Sequence, residues 1–305
     1  MKSEERRAKR EFREPRLCQL PRSSLTSLFA LLTSPVAEHA HRRQGLTLVE
    51  LLIVISILSI LMGLMLPAVQ QARDAARAHN CRTNLMQIGL ALRNYESAHG
   101  SLPPGTVDSQ RPIRNVARGY HVGWLVRIAP YVEKTAYYDR FDFTLGVYDK
   151  KNSIAIPFPT LTCPSGSSYA GCHHDVESPI DIDNSGVLFL NQCISQDDVL
   201  DGISHTIYVG EKNGIDVFGW ASGTRDSLRN TGTPMATGRG FSAAGAGAAT
   251  PLGILQVGGF GSSHNGGANF LFGDGSVRFL SDSIDMPIFQ QLGHRADGQL
   301  PNDGF

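Results

Sequence analysis

The 305-residue sequence holds no G-x-S-x-G turn, no glycine-rich phosphate loop and no Cys/His arrangement that would serve a nucleophilic enzyme. Those absences exclude the common routes to hydrolysis and phosphoryl transfer. Lysine and arginine form no cluster beyond residue 45, so the body of the chain has no electrostatic footprint for nucleic acid. Cysteine is scarce, with five residues, and the paired C-x₂-C spacing of structural zinc modules is missing. Acid and base balance at 28 residues each, but the balance conceals an asymmetry. Residues 1–45 hold ten of the bases and five of the acids, a net +5, which leaves the remainder at about −5.

Long apolar runs are also absent, with one exception. From Leu46 to Leu66 the only charged residue is Glu50. At about 1.5 Å per residue, 21 helical residues span roughly 31 Å, the thickness of a bilayer's hydrocarbon core. A carboxylate inside such a segment costs a few kcal/mol and needs a partner. The basic residues before the run place the N-terminus in the cytoplasm and the rest outside the inner membrane, as a single-pass protein. Residues 17–37 look faintly like a secretory signal, but Pro21, Arg22 and Pro35 leave too short an apolar core. Residues 1–40 read as a disordered extension or as the product of a start codon assigned too early.

Beyond the run, Pro67 predicts a kink rather than an end. Apolar side chains then recur at Val69, Ala72, Ala76, Cys81, Leu85, Ile88, Leu92 and Tyr95, in steps that describe one helical face. Gly100, Pro103 and Pro104 end the helix. The expected organisation is a leader (1–45), a transmembrane helix (46–66), its amphipathic continuation (67–100) and an extracytoplasmic globular domain (101–305). Residues 124–131 predict a short helix or strand. Residues 186–190 and 205–210 predict strands, and residues 221–250, rich in Gly, Ala, Ser and Thr, a long surface loop. Residues 268–272 and 276–280 predict a hairpin turning at Gly273-Asp274-Gly275. The fold class is α+β, with a long N-terminal helix packed on an antiparallel sheet.

Gly45-Leu46-Thr47-Leu48-Val49-Glu50 closely resembles the cleavage motif of type IV prepilins and type II secretion pseudopilins: glycine, an apolar residue, then T-L-x-E. Leu46 replaces the usual phenylalanine. The resemblance implies cleavage after Gly45 by a prepilin peptidase and N-methylation of Leu46. It also implies pairing of Glu50 with the new N-terminal amine of a neighbouring subunit. The partners it implies are that peptidase, other pilin-like subunits, assembly machinery and the membrane.

A second resemblance covers about Gly45 to Leu280. His264, nine residues, then Asp274-Gly275 and Ser276-Val277-Arg278-Phe279 match the C-terminal hallmark of a pilin-like domain of unknown function abundant in planctomycete bacteria. Residues 80–92, Cys163-Pro164-Ser165 and Asp201 to Glu211 are similar to that family's other blocks, with His205 at its usual asparagine position. Cleavage would remove Cys18, and four cysteines allow three pairings. Cys81 and Cys163 fall at family positions and Cys172 and Cys193 do not, which implies the pairs Cys81–Cys163 and Cys172–Cys193.

Other chemistry is weaker. Cys172-His173-His174-Asp175 and Cys193 lack zinc-site spacing, and no metal site is expected there. Asp181 to Gly186 begins like a calcium loop, but the twelfth position is Gln192; Asp197, Asp198 and Asp201 form another acidic loop. Calcium is thus the one cofactor worth naming, and no cofactor is expected. His264, Asn269 and Asp274 tempt a catalytic constellation, but strand alternation separates them. The reading is a non-enzymatic, membrane-anchored pilin-like or pseudopilin subunit of a type IV pilus-like or type II secretion-like structure. Its rival is a glycan- or calcium-binding surface module delivered by the same route.

Overall fold

The structure is a computed structural model that describes residues 47–132, 135–152, 160, 163, 166–213, 217–237 and 253–299. The leader, Gly45 and Leu46 lie outside the described residues. The chain divides into two units, Met1–Met62 and Gly63–Phe305.

Helix α1 runs Leu48–His99. Thr47 and Glu50 start it with a capping box, the arrangement that satisfies otherwise orphaned amides at a helix N-terminus. Within the apolar run, the Ser56 and Ser59 hydroxyls donate to the Leu52 and Ile55 carbonyls, each at 2.7 Å. These two polar groups are therefore satisfied inside their own helix. The helix is continuous through Pro67. It ends where Gly100 adopts φ +79° and its N–H donates to the Glu96 carbonyl, a left-handed cap that glycine enters without steric cost.

The apolar steps of the second half are only partly used. Cys81, Leu85, Ile88, Ala91 and Leu92 are buried, whereas Val69 is 43% exposed and Ala72 and Ala76 are exposed. The buried face therefore begins about three turns later than the sequence suggests, at Cys81.

The strands are β1 (Thr106–Val107), β2 (Val122–Gly123), β3 (Ser168–His174), β4 (Ile207–Lys212), β5 (Leu228–Asn230), β6 (Ala236–Thr237), β7 (Gly261–Ser262), β8 (Gly267–Phe272) and β9 (Val277–Ser281). Short helices α2 (Trp124–Ile128) and α3 (Thr135–Tyr138) precede β3, and α4 (Met286–Gly293) follows β9. The main sheet has the order β5-β3-β4-β8-β9. Its pairs are antiparallel except β3/β5, which is parallel, so the sheet is mixed at one edge.

Alternation along the strands gives the sheet two apolar faces. Tyr169, Val209, Leu271 and Val277 join Cys81, Leu85, Ile88 and Leu92 of α1 in one core. Ala170, Ile207, Phe270 and Phe272 face the other way, against Phe289 and Leu292 of α4. The β8–β9 hairpin forms as expected, with Gly275 at φ +85° and Leu271 opposite Val277.

Two expectations are corrected. Residues 186–190 are buried but form no strand: the Val187 and Leu188 amides both donate to the Cys172 carbonyl, so the segment is used up beside the irregular end of β3. Residues 221–250 are not throughout a surface loop. Residues 221–231 are almost wholly buried and include β5. Small residues serve close approach there: a Cβ on Gly223 would meet Thr106 Oγ1 at 2.0 Å. Residues 238–250 lie outside the described residues.

Candidate functional sites

In the first unit, the chemistry sits on the N-terminal turn of α1. Glu50 is exposed, and its Oε2 accepts the Thr47 N–H at 2.8 Å and the Thr47 hydroxyl at 2.9 Å. Within one chain the capping box supplies these donors to the carboxylate. The apolar side chains behind it are unburied, from Leu48 at 79% exposed to Met62 at 69%. The helix is long and apolar enough to cross a membrane.

In the second unit, four separated segments converge. A disulfide joins Cys81 of α1 to Cys163, with Cα atoms 4.9 Å apart. Cys163 Sγ lies 3.6 Å from His264 Nε2, which in turn lies 3.5 Å from Glu211 Oε1. Glu211, near the end of β4, is fully buried. Its carboxylate is held by three donors: Ser262 Oγ at 2.8 Å, the Asn269 N–H at 2.9 Å and Asn269 Nδ2 at 3.2 Å. Ser262 Oγ also accepts the His264 N–H, so one hydroxyl orders both residues. His264 and Asn269 line a cleft of about 660 Å³, walled by Asp74, Ala75 and Ala78 of α1 and by Phe279.

The structure thus brings His264 and Asn269 together through Glu211, which alternation along one hairpin did not reveal. Asp274 stands apart: its carboxylate accepts the Ser276 N–H at 2.8 Å and faces Arg278 at 3.7 Å. Burial would raise its pKa, but these partners hold it below the usual carboxylate value. Glu211 was the missed residue. A glutamate closing the apolar run Ile207-Tyr208-Val209-Gly210 was its signal, since a buried carboxylate demands specific partners.

The second expected disulfide is corrected. Cys172 and Cys193 are free. Cys172 is buried on β3, where its thiol donates to the Gly293 carbonyl at 3.6 Å and burial pushes its pKa up, while Cys193 is exposed. The neighbouring histidines diverge. His173 Nδ1 lies 3.3 Å from Asn184 Oδ1, and His174 Nδ1 lies 2.6 Å from Asp175 Oδ1 and 2.7 Å from Ser185 Oγ. These residues do not assemble into a zinc site. Asp201 turns inward, where its carboxylate accepts the Asp297 and Gly298 amides at 2.7 Å each.

A family model described as "Protein of unknown function (DUF1559)" matches residues 70–287, and the model of the prokaryotic N-terminal methylation motif matches residues 40–66. No curated protein and no solved structure matches the chain.

Proposed function

Because the chain belongs to the DUF1559 family and carries the prokaryotic N-terminal methylation motif, we propose that it is a non-enzymatic, membrane-anchored subunit that assembles through its N-terminal helix into a pilus-like or secretion-like structure. It is a prepilin-type, pilin-like protein, and the motif implies processing by a prepilin peptidase and association with a membrane. Cleavage falls between Gly45 and Leu46, Leu46 is methylated, and the domain beyond the helix lies outside the inner membrane.

The observation that carries this reading is the apolar helix itself. Its side chains from Leu48 to Leu66 are exposed among the described residues. A bilayer covers them first, and the equivalent helices of other subunits cover them after assembly. Glu50 sets the register: the amine freed at Leu46 of one subunit meets the Glu50 carboxylate of the next. Desolvating that carboxylate among leucines is costly without a cation, so pairing strongly favours one stagger.

The experiment is co-purification and filament recovery from cells carrying Glu50→Ala, with N-terminal sequencing of the wild-type product. Recovery of the subunit in assemblies regardless of residue 50, or a product that does not begin at methylated Leu46, overturns the reading.

A further inference from the structure

We propose that Cys81, Cys163, Glu211 and His264 form a redox-gated site for a zinc-class divalent cation, closed while the disulfide is intact and opened by its reduction. One sulfur of each cysteine, a carboxylate oxygen of Glu211 and a ring nitrogen of His264 all lie within 4.8 Å of one another. Two thiolates, an imidazole and a carboxylate are the donor types that zinc takes in four-coordinate sites.

The distances support a shared ion more than direct bonds. His264 Nε2 stands 3.5 Å from Glu211 Oε1, beyond the usual N–H···O range, and 3.6 Å from Cys163 Sγ. Zinc–ligand bonds of about 2.0–2.3 Å at a tetrahedral angle place a nitrogen and an oxygen about 3.3 Å apart and a nitrogen and a sulfur about 3.6 Å apart. Two edges of the tetrahedron are therefore nearly in place. Both contacts use the same nitrogen, which points to convergence on one centre. A nucleophile–base–acid relay would instead use the two opposite ring nitrogens.

The surroundings complete the site. Ser262 Oγ and both nitrogens of Asn269 fix the Glu211 carboxylate, the role of the outer partners that orient metal ligands. None of these three donors carries a charge, so the buried glutamate lacks a cation of its own among them. His264 lines the cleft beside α1, which gives an ion a way in.

The chemistry balances with a dithiol as the reductant. It supplies two electrons and two protons, the Cys81–Cys163 bond breaks to two thiols, and the dithiol becomes a disulfide. Metal binding then displaces the two thiol protons to water. The covalent bond clasps two of these segments when oxidised, and the ion clasps all four when reduced. This inference is independent of the assembly role and would survive its failure.

The test uses the full chain in detergent with Cys18→Ser and Cys193→Ser, which removes the leader cysteine and the exposed thiol of the described residues. The protein is reduced with dithiothreitol without oxygen, desalted and titrated with Co²⁺, then competed with Zn²⁺. One equivalent of cobalt with thiolate charge-transfer absorption is expected in the reduced chain and none in the oxidised chain. His264→Ala and Glu211→Gln should each weaken binding at least tenfold, with the oxidised variants retaining the wild-type circular dichroism spectrum. A reduced chain that takes no stoichiometric metal, whether folded or unfolded, overturns the proposal. Cobalt binding unchanged by His264→Ala overturns it too, as does binding of equal strength in the oxidised chain.

Discussion

Thr47 and Glu50 satisfy one another across the first turn of the long helix: the Thr47 N–H donates to Glu50 Oε2 at 2.8 Å, and the Glu50 N–H donates to Thr47 Oγ1 at 3.3 Å. The carboxylate that the assembly reading assigns to a neighbour's amine is thus already engaged at home. Both roles are compatible, because a carboxylate has room for more than two donors. They nevertheless predict different mutants. Glu50→Gln keeps an acceptor for the cap but loses the charge that an ammonium requires. Thr47→Ala weakens the cap and keeps the charge. Filament recovery should collapse in Glu50→Gln and stay within about twofold of wild type in Thr47→Ala. Equal losses in the two would assign Glu50 to helix capping alone.

The Cys81–Cys163 bond ties the second half of the long helix to the segment before β3, across a sequence separation of 82 residues. Closing a loop of that size restricts the unfolded chain, an effect typically worth about 2–4 kcal/mol. Cys163→Ser should therefore lower the urea unfolding midpoint of the detergent-solubilised protein, with a destabilisation in that range. Cys193→Ser should leave it within about 0.5 kcal/mol, since that thiol is exposed and unbonded. Matching losses in both variants would contradict the observed pairing.

The long helix and the β8–β9 hairpin were legible because each rests on a local rule. A 21-residue apolar run has few alternatives, and Asp274-Gly275 supplies the positive φ that a tight turn requires. Burial of residues 221–231 was not legible, because small and polar residues normally mark a loop. Here they permit close packing: Ser227 donates its hydroxyl to the Ser222 carbonyl at 2.6 Å and offers its own carbonyl to Trp124 Nε1 at 2.9 Å. The site around Glu211 was legible only in fragments. Cys81, Cys163, Glu211 and His264 come from α1, the segment before β3, the end of β4 and the loop before β8. No spacing rule reaches across four segments. Helix α4, which covers the second face of the sheet, went unanticipated because eight residues carry little periodicity.

Gly89 faces Leu271 where the helix crosses the sheet. A Cβ at residue 89 would stand 2.8 Å from Leu271 Cδ1 and 3.3 Å from Cδ2. In an open helix Gly→Ala would stabilise by about 1 kcal/mol. Here overpacking costs about 1–3 kcal/mol, because Leu271 is buried and has little room to turn. Gly89→Ala should therefore be neutral to destabilising, and Gly89→Val more so. In a Leu271→Ala background, Gly89→Ala should turn stabilising. Denaturant midpoints of the four proteins give the coupling, and an additive cycle would show that the contact is not the reason for glycine.

Acid stability separates the buried histidine from its acidic neighbours. Full burial pushes His173 down to about 3, against an ordinary value near 6.5, while the bond to Asn184 opposes the shift. The unfolded chain then binds a proton that the folded chain refuses. Stability from this group is complete above about pH 6.5 and drains away as the pH falls toward 3, at no more than about 1.4 kcal/mol per pH unit. His121 is lowered as well, chiefly by burial with Asp108 opposing, so it adds to the same slope. Asp175 acts in a lower window. Burial would raise it, but bonds from His174 and Ser185 outweigh that and hold it at about 2, so its contribution fades only below about pH 4. Urea midpoints measured from pH 7 to pH 5 should therefore fall in the wild type, less steeply in His173→Asn, and as steeply as wild type in Asp175→Asn. A slope unaltered by His173→Asn would mean that the imidazole takes up its proton without unfolding, and that its burial is relieved by water.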